Sequence, residues 1–136
     1  MKILVLGGSG FIGTNIVLKL SENDFNEITI ADKTKNSFEA TKKAQLQRVS
    51  FIKLDFNENT DFDVLLRNYD VVYHLISSTV PVTSNQKIAE EITTNIVATT
   101  KMLESCVRMG VKKIVFLSSG GTVYGMKGNC PFNEDM

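Results

Sequence analysis

The chain has 136 residues, of which 43% are apolar and 22% charged, the composition of one ordinary globular domain. Its 15 Lys and Arg residues balance its 15 Asp and Glu residues, so the sequence predicts no basic surface for nucleic acid or an anionic membrane. No apolar run approaches the roughly 18 residues of a membrane-spanning helix, and the run after Lys2 is too short for a signal peptide. We therefore expect a cytoplasmic protein with neither a nucleic-acid nor a membrane partner.

Short apolar runs alternate with helical patterns along the chain, and several runs are continuous Val, Ile, Leu and Phe stretches. Such runs are typical of parallel strands that are buried on both faces. The predicted strands are Lys2–Leu6, Glu27–Ala31, Val49–Leu54, Val71–Leu75 and Lys113–Leu117. The predicted helices are Phe11–Ser21, Phe38–Gln45, Asp61–Asn68 and Asn85–Met109. This alternation predicts an α/β fold, a Rossmann-like doubly wound parallel sheet with helices on both faces.

The first strand ends in three glycines at three-residue spacing, Gly7, Gly10 and Gly13, and a helical pattern begins at once. Gly7 permits a tight turn, Gly10 lets the backbone approach phosphates, and Gly13 lets the helix pack closely on the strand. Glycines also mark ordinary turns, but a strand before them and a helix after them is the context of a dinucleotide site. The helix N-terminus would then hold a pyrophosphate.

Asp32 ends the second predicted strand, 19 residues after Gly13. At this place a carboxylate can accept hydrogen bonds from the adenosine ribose hydroxyls, although Asp32 as a plain turn residue is the alternative. A carboxylate would also repel a 2′-phosphate, which favours NAD over NADP. Lys33 and Lys35 leave that choice open, because either could pair with such a phosphate.

Asp55 follows the third predicted strand, and His74 and Ser77 lie at the end of the fourth. Ligands of open parallel sheets lie across the carboxyl ends of the strands, so these residues are contact candidates by position. His74 is the only histidine and an obvious candidate base. Because the sequence shows no partner for it, we expect a structural or cofactor-adjacent role.

The long predicted helix has an apolar stripe at intervals of three and four residues. The stripe consists of Ile88, Ile92, Ile96, Thr99, Leu103 and Val107. Thr83 and Gln86 form a candidate capping box, and Gly110 is placed to end the helix. The cysteines, Cys106 and Cys130, have neither disulfide-framework nor metal-ligand spacing, so no metal site is predicted, and Cys106 is expected to be buried.

Five signatures in order resemble the extended short-chain dehydrogenase/reductases, within the NAD-dependent sugar-nucleotide epimerase/dehydratase group. They cover the chain from Met1 to about Tyr124 and comprise Gly7–Gly13, Asp32, Asp55-Phe56, Asp70–Ser77 and Ser118–Gly125. Asn95 matches a further position of that family.

The resemblance implies a role for each matching position. Phe11 and Ile12 would give backbone N–H groups to the pyrophosphate, and Asp32, next to Lys33, would hold the adenosine ribose. Asp55 and Phe56 would flank the adenine. The remaining implied cofactor residues lie along the ribose and phosphates, behind them on the helix, or near the nicotinamide: Leu75, Ile76, Ser77, Asn95 and Ser118.

The chain departs from the family pattern in its catalytic residues. Gly120 stands four residues before Tyr124, where the family usually has Ser or Thr, and Ser119 or Thr122 is left as an alternative source of the hydroxyl. The family base is a tyrosine whose pKa is lowered by a lysine four residues later. None of the three tyrosines has that lysine. Relatives carry the pair a couple of dozen residues beyond the Val-Tyr-Gly signature.

We therefore expect residues 1–125 to form an NAD-binding domain that is incomplete at its C-terminal side, and 126–136 to be a loop leading towards an absent remainder. The resemblance implies a nucleotide-sugar substrate for the longer enzyme, and weak NAD binding without turnover for this chain. An NADP-dependent reductase of the same superfamily and a non-catalytic dinucleotide-sensing module are the alternatives. An open edge strand at Lys113–Leu117 and an uncovered apolar stripe would favour a homo-oligomer.

Overall fold

The sheet is entirely parallel in the computed structural model, which describes residues 1–35, 48–77 and 88–125. Its described strands run in the order β3-β2-β1-β4-β5. They are β1 Lys2–Leu6, β2 Glu27–Asp32, β3 Val49–Lys53, β4 Val71–His74 and β5 Lys113–Phe116. Each begins where the sequence predicted and ends within one residue of the prediction. The Rossmann-like doubly wound sheet is confirmed.

The predicted helices that the structure describes are in their predicted places, and a short fifth helix, Gly120–Tyr124, was not predicted. The helices are α1 Phe11–Ser21, α2 Phe62–Leu66, α3 Ile88–Glu91, α4 Ala98–Met109 and α5 Gly120–Tyr124, with a π-helical segment, Ile92–Val97, joining α3 to α4. Helix α2 is shorter than predicted because Asp61 caps it through Val64 N–H at 3.1 Å and Asn68 takes a left-handed conformation with φ of 69°. The predictions for Phe38–Gln45, for Thr83 with Gln86, and for residues 126–136 lie outside the described residues.

Two apolar layers pack on the central strand β1, whose residues alternate between them. Ile3 and Val5 face Val17 of α1 on one side of the sheet. Leu4 and Leu6 face the other side, where α2 and α4 cover them with Leu66, Met102 and Cys106, among others. Alternation of this kind is the expected consequence of the period of two along a strand. Helices therefore cover both faces of the sheet, as predicted.

Helix α4 is apolar on two neighbouring sides, and the predicted stripe is the outer one. Ala98, Met102 and Cys106 are at most 1% exposed and pack on the sheet. Most of the stripe is exposed: Ile88 60%, Ile92 46%, Ile96 61%, Leu103 41% and Val107 82%. The periodicity correctly identified an apolar face, but the face that builds the core lies one residue out of phase with it.

Polar contacts fix α4 at its C-terminal end. Ser105 is buried and its hydroxyl donates to Asp63 of α2 at 2.5 Å, while Arg108 donates to the same carboxylate at 2.8 Å. These hydrogen bonds, chiefly the one from Arg108, hold the pKa of Asp63 below its usual value. Gly110 then ends the helix in the left-handed conformation, with φ of 72°, as the sequence predicted.

Cys106 is 1% exposed in the core, which confirms its predicted burial, and burial raises the pKa of its thiol to about 11. In the part of the chain that the structure describes, no helix has both the length and the apolar character needed to span a membrane.

Candidate functional site

The carboxyl ends of all described strands meet at one edge of the sheet. Leu6 lies beside Ala31 on one side and beside His74 on the other, and His74 lies beside Phe116. The chain leaves β1 for α1 and β4 for the segment after His74, so the connections diverge between these two neighbouring strands. Such a switch point is where open parallel sheets bind ligands.

The glycine turn is tight because backbone lies where side chains would otherwise be. Gly7 has φ of 80°, a conformation that residues with a Cβ rarely adopt, and its N–H donates to Ala31 O at 2.9 Å. A Cβ on Gly13 would collide with Gly7 O and stand 2.6 Å from the Cα of Gly8. The absence of a side chain at Gly13 therefore sets how close α1 comes to the turn.

The start of α1 is open towards the carboxyl edge of the sheet. Gly10 is the N-cap, its backbone is extended, and no side chain caps the helix. The first N–H groups of a helix have no partner within it, so the backbone of Phe11 and Ile12 offers donors at the positive end of the helix dipole. A Cβ on Gly10 would meet only Gly7 O, at 3.5 Å, so the space beside Gly10 is free for a ligand. This arrangement suits a phosphate.

Asp32 is tied to the glycine turn. One carboxylate oxygen, Oδ2, accepts a hydrogen bond from Ser9 N–H at 3.0 Å, and the residue is half-buried at the end of β2. The structure thus brings the predicted ribose-binding carboxylate to the predicted phosphate-binding turn. The Ser9 hydroxyl is buried and has no hydrogen-bond partner within the described residues.

Lys33 and Asp55 form an ion pair of 2.8 Å between the ends of β2 and β3, with each side chain about 70% exposed. Lys35, the other lysine that the sequence left open, lies 5.9 Å from the ring centre of Phe51. Both lysines therefore have partners within the chain.

Phe56 lies in the core and not at the surface of the site. Its ring is 4% exposed and stands 5.3 Å from the ring of Phe62 and 5.1 Å from that of His74, centre to centre. A contact with adenine at this position would have to come from the backbone.

A small cavity of about 180 Å³ opens beside the end of β4. Ser77, Asn95, Thr99 and Leu117 line it, together with His74, Leu75, Ile76 and Phe116. Four of the predicted cofactor residues, those at 75–77 and Asn95, thus share one cavity wall. Ser118 is exposed just beyond Leu117, at the end of β5.

His74 is buried at the bottom of this cavity. It is 2% exposed, its Nε2 lies 3.0 Å from Thr99 Oγ1, and its ring packs between Phe56 and Phe116. Burial lowers the pKa of the imidazole from 6.5 to about 4. The structure therefore gives His74 a neutral, packed role in the wall of the site, in line with the expectation from the sequence.

The two candidate catalytic residues follow β5 in the chain. Ser119 is exposed and its carbonyl oxygen accepts Val123 N–H at 3.0 Å, at the start of α5. Thr122 lies within α5. Ser119 and Thr122 both stay predictions for the residue that supplies the catalytic hydroxyl.

Sequence reasoning missed Ser9 and Thr99 as parts of the site. Ser9 stands between two of the motif glycines, so its N–H was a foreseeable donor. Thr99 was assigned to the apolar stripe, and only the fold shows that its hydroxyl meets His74, 25 residues earlier in the chain.

A doubly wound parallel sheet with a glycine turn before its first helix and a carboxylate at the end of its second strand defines the dinucleotide-binding class of α/β proteins. The chain belongs to the NAD dependent epimerase/dehydratase family, whose model matches residues 3–136.

Relatives of known activity agree with this assignment. The chain is 33% identical to UDP-glucuronic acid decarboxylase 3 of Arabidopsis thaliana, over 92% of this chain and 35% of the relative. It is 33% identical to a putative UDP-glucose 4-epimerase of Methanocaldococcus jannaschii, over 98% of this chain and 43% of the relative. The structure of the Bacillus cereus UDP-glucuronic acid 4-epimerase, in complex with UDP-glucuronic acid and NAD, matches with a TM-score of 0.83 and 31% identity, covering 100% of this chain and 45% of that one. The chain thus spans less than half the length of these relatives.

We expect Gly13→Ala to destabilise the fold by roughly 2–4 kcal/mol, because the new methyl group would meet backbone that cannot move aside. Gly120→Ala is the matched control, since a Cβ there would come no closer than 3.9 Å to its neighbour, Tyr124 Cδ2. Urea unfolding of both variants measures the difference. Equal midpoints for Gly13→Ala and the wild type would show that α1 is not held by this contact.

We expect the free energy of unfolding to decrease as the pH falls from about 6.5 towards 4. The imidazole of the unfolded chain takes up a proton near pH 6.5, whereas the pKa of folded His74 is about 4. The contribution of neutral His74 to the free energy of unfolding is therefore present in full above pH 6.5. It is lost as the pH falls, by up to about 1.4 kcal/mol per pH unit. Because His74 is the only histidine, the difference between wild-type and His74→Phe unfolding curves isolates it. Parallel curves across this range would contradict the prediction.

Proposed function

We propose that this chain binds NAD across the carboxyl edge of its sheet, as the cofactor-binding part of a nucleotide-sugar epimerase or dehydratase. The observation that carries the proposal is the open N-terminus of α1, next to a Gly10 without a side chain and an Asp32 held by Ser9 N–H. Together these supply phosphate donors, room for a phosphate and a ribose acceptor.

The roles of the site residues follow from their positions along this edge. Backbone N–H groups of Phe11 and Ile12 bind the pyrophosphate, and Asp32 accepts hydrogen bonds from the adenosine ribose. Asp55 and the backbone of Phe56 contact the adenine. Residues 75–77 and Ser118 lie along the remaining ribose and the nicotinamide, with Asn95 behind them.

The proposed reaction of the whole protein is hydride abstraction from a sugar carbon onto NAD, followed by return of the hydride or by elimination. Support comes from relatives named as UDP-glucose 4-epimerase and UDP-glucuronic acid decarboxylase, both of which act on nucleotide sugars by name. NAD when bound supplies the hydride acceptor. The residues of this chain bind and orient it, and Ser119 or Thr122 is the candidate hydroxyl beside the substrate.

The alternative with NADP is less well supported by the geometry. Asp32 would face the 2′-phosphate, and Lys33 is already paired with Asp55 at 2.8 Å. A dinucleotide-sensing module without catalysis fits the same geometry. Measuring turnover both on this chain and on a longer protein distinguishes such a module from an enzyme.

We expect NAD to bind the 136-residue chain, and Gly10→Ala to weaken binding about tenfold or more, because the added methyl group occupies the space left for the phosphate. Because the new Cβ would lie 3.5 Å from its nearest neighbour, Gly7 O, we expect little change in the free energy of unfolding of Gly10→Ala, in contrast to Gly13→Ala. Isothermal titration calorimetry with NAD and NADP, with urea unfolding in parallel, measures both effects.

Asp32→Asn keeps an acceptor for Ser9 N–H and removes the charge, so NAD affinity should fall about tenfold while the preference over NADP narrows. Asp24→Asn is the matched control, because Asp24 is 88% exposed before β2, away from the carboxyl edge. Stronger binding of NADP than of NAD by the wild type would move the proposal to the reductase. No binding of either would reject it.

We expect no epimerisation or dehydration of a nucleotide sugar by the 136-residue chain, because none of its three tyrosines is followed four residues later by lysine. Incubation with UDP-glucose and NAD, followed by chromatography of the sugar nucleotides, tests this. Product formation above a protein-free control would overturn it.

We further propose that the chain self-associates through the exposed stripe of its long helix. Ile96, Leu103 and Val107 are 41–82% exposed, and the stripe continues through Ile92 and Ile88 into α3. A second copy of the same helix face is a matching apolar partner, and burial of both faces would remove this surface from water.

We expect the wild type to form a dimer or larger species by light scattering, and Leu103→Glu with Val107→Glu to shift it towards the monomer, since charges would enter the apolar contact. Val64→Glu is the control, because Val64 is 64% exposed on α2, outside the stripe. A wild type that stays monomeric at high concentration would contradict the proposal.

A further inference from the structure

His74 is an unusual choice for the position it occupies. It is 2% exposed between two phenylalanine rings, where an apolar side chain would be buried without the cost of removing an imidazole from water. Its Nδ1 has no hydrogen-bond partner in the described part of the chain. The one polar contact that the buried ring makes there is between Nε2 and Thr99 Oγ1, at 3.0 Å. That contact is what an imidazole provides and a phenyl ring would not.

Thr99 stands at a special point of the long helix. It is the second residue of α4, directly after the π-helical segment Ile92–Val97. π-Helical turns are rare, and they occur mostly as single turns inside α-helices, frequently at functional sites. The His74–Thr99 hydrogen bond joins the end of β4 to the helix at the place where its geometry changes.

The π-helical segment carries Asn95, which lines the cavity of about 180 Å³ with His74 and Thr99. Thr99 follows Asn95 by four residues, so the two lie on neighbouring turns of one helix face. A shift of the π-helical turn to regular α-helix would change the rotation per residue along Ile92–Val97, and would therefore move Asn95 relative to the cavity.

We propose that His74 is a positioning residue: through Thr99 it fixes the π-helical turn, and thereby holds Asn95 in the wall of the cofactor cavity. His74 connects the sheet to the helix through this hydrogen bond and takes no part in the reaction. The effect on cofactor affinity rests on the proposed NAD function, whereas the effect on Asn95 does not.

Substitutions at Thr99 test the hydrogen bond without emptying the core. Thr99→Val removes the hydroxyl and keeps the shape, and Thr99→Ser keeps the hydroxyl. Thr29→Val is the matched control, because the Thr29 hydroxyl lies 2.9 Å from Ser50 Oγ, between β2 and β3 and away from the long helix. His74→Phe and the double variant with Thr99→Val complete a double-mutant cycle.

We expect Thr99→Val to raise the hydrogen-exchange rates of the amides at Ile92–Val97 by about three- to tenfold relative to those of the last two turns of α4. The side-chain amide resonances of Asn95 should move in NMR spectra of the same variant. Thr99→Ser should restore both readouts, and Thr29→Val should leave both unchanged. In the cycle, the free energy of unfolding of the double variant should fall by no more than that of the less stable single variant. NAD should bind about three- to tenfold more weakly to Thr99→Val.

The proposal is overturned if Thr99→Val behaves like Thr29→Val in exchange and in the Asn95 resonances, or if the losses of unfolding free energy in the cycle add. The exchange rates and the Asn95 resonances of Thr99→Val are sufficient to reject the proposal, so the test does not depend on whether His74→Phe folds. If the wild type binds no NAD, the proposed function fails, and the exchange rates and Asn95 resonances still decide the role of His74.

Discussion

The close contact between α1 and the glycine turn is the constraint on which the rest of the site depends. Gly13 lies against the backbone of Gly7 and Gly8, so the helix starts directly over the carboxyl end of β1. This position aims the first N–H groups of α1 at the edge of the sheet. It also leaves Ser9 N–H within 3.0 Å of Asp32, which couples the turn to the end of β2. The missing side chain at Gly13 therefore brings together the groups proposed as phosphate donors and as ribose acceptor.

Helix α4 lies along the second half of the site and is apolar on two neighbouring sides. Its inner side, with Met102 and Cys106, belongs to the core, and its outer side is apolar and exposed. Between α3 and α4 the helix widens into a π-helical turn beside the cavity at the end of β4. The hydrogen bond between His74 and Thr99 joins the helix to the sheet at this point. The glycine turn is held by backbone contacts and by the Asp32 carboxylate, whereas this side of the site is held by a contact between two side chains.

The sequence was sufficient for features that repeat or that depend on backbone alone. Strands buried on both faces leave continuous apolar runs, so β1 and β4 were located to within a residue. Gly7 and Gly110 mark left-handed backbone conformations that few other residues adopt, and Gly13 marks a close backbone approach. The pairings Lys33–Asp55 and His74–Thr99 could not be predicted, because each depends on which strand ends and helix faces become neighbours. The π-helical turn was missed for a related reason, since a period of 3.6 residues fits its apolar positions almost as well.

Cys106 shows what the tight packing of α4 means for chemistry at its inner face. With a thiol pKa of about 11, only about one molecule in ten thousand carries the thiolate at pH 7, and the sulfur is also covered by the core. Alkylating reagents and oxidants can therefore reach it only when α4 separates from the sheet. The rate at which Cys106, measured separately from Cys130, is modified therefore reports how often α4 separates from the sheet.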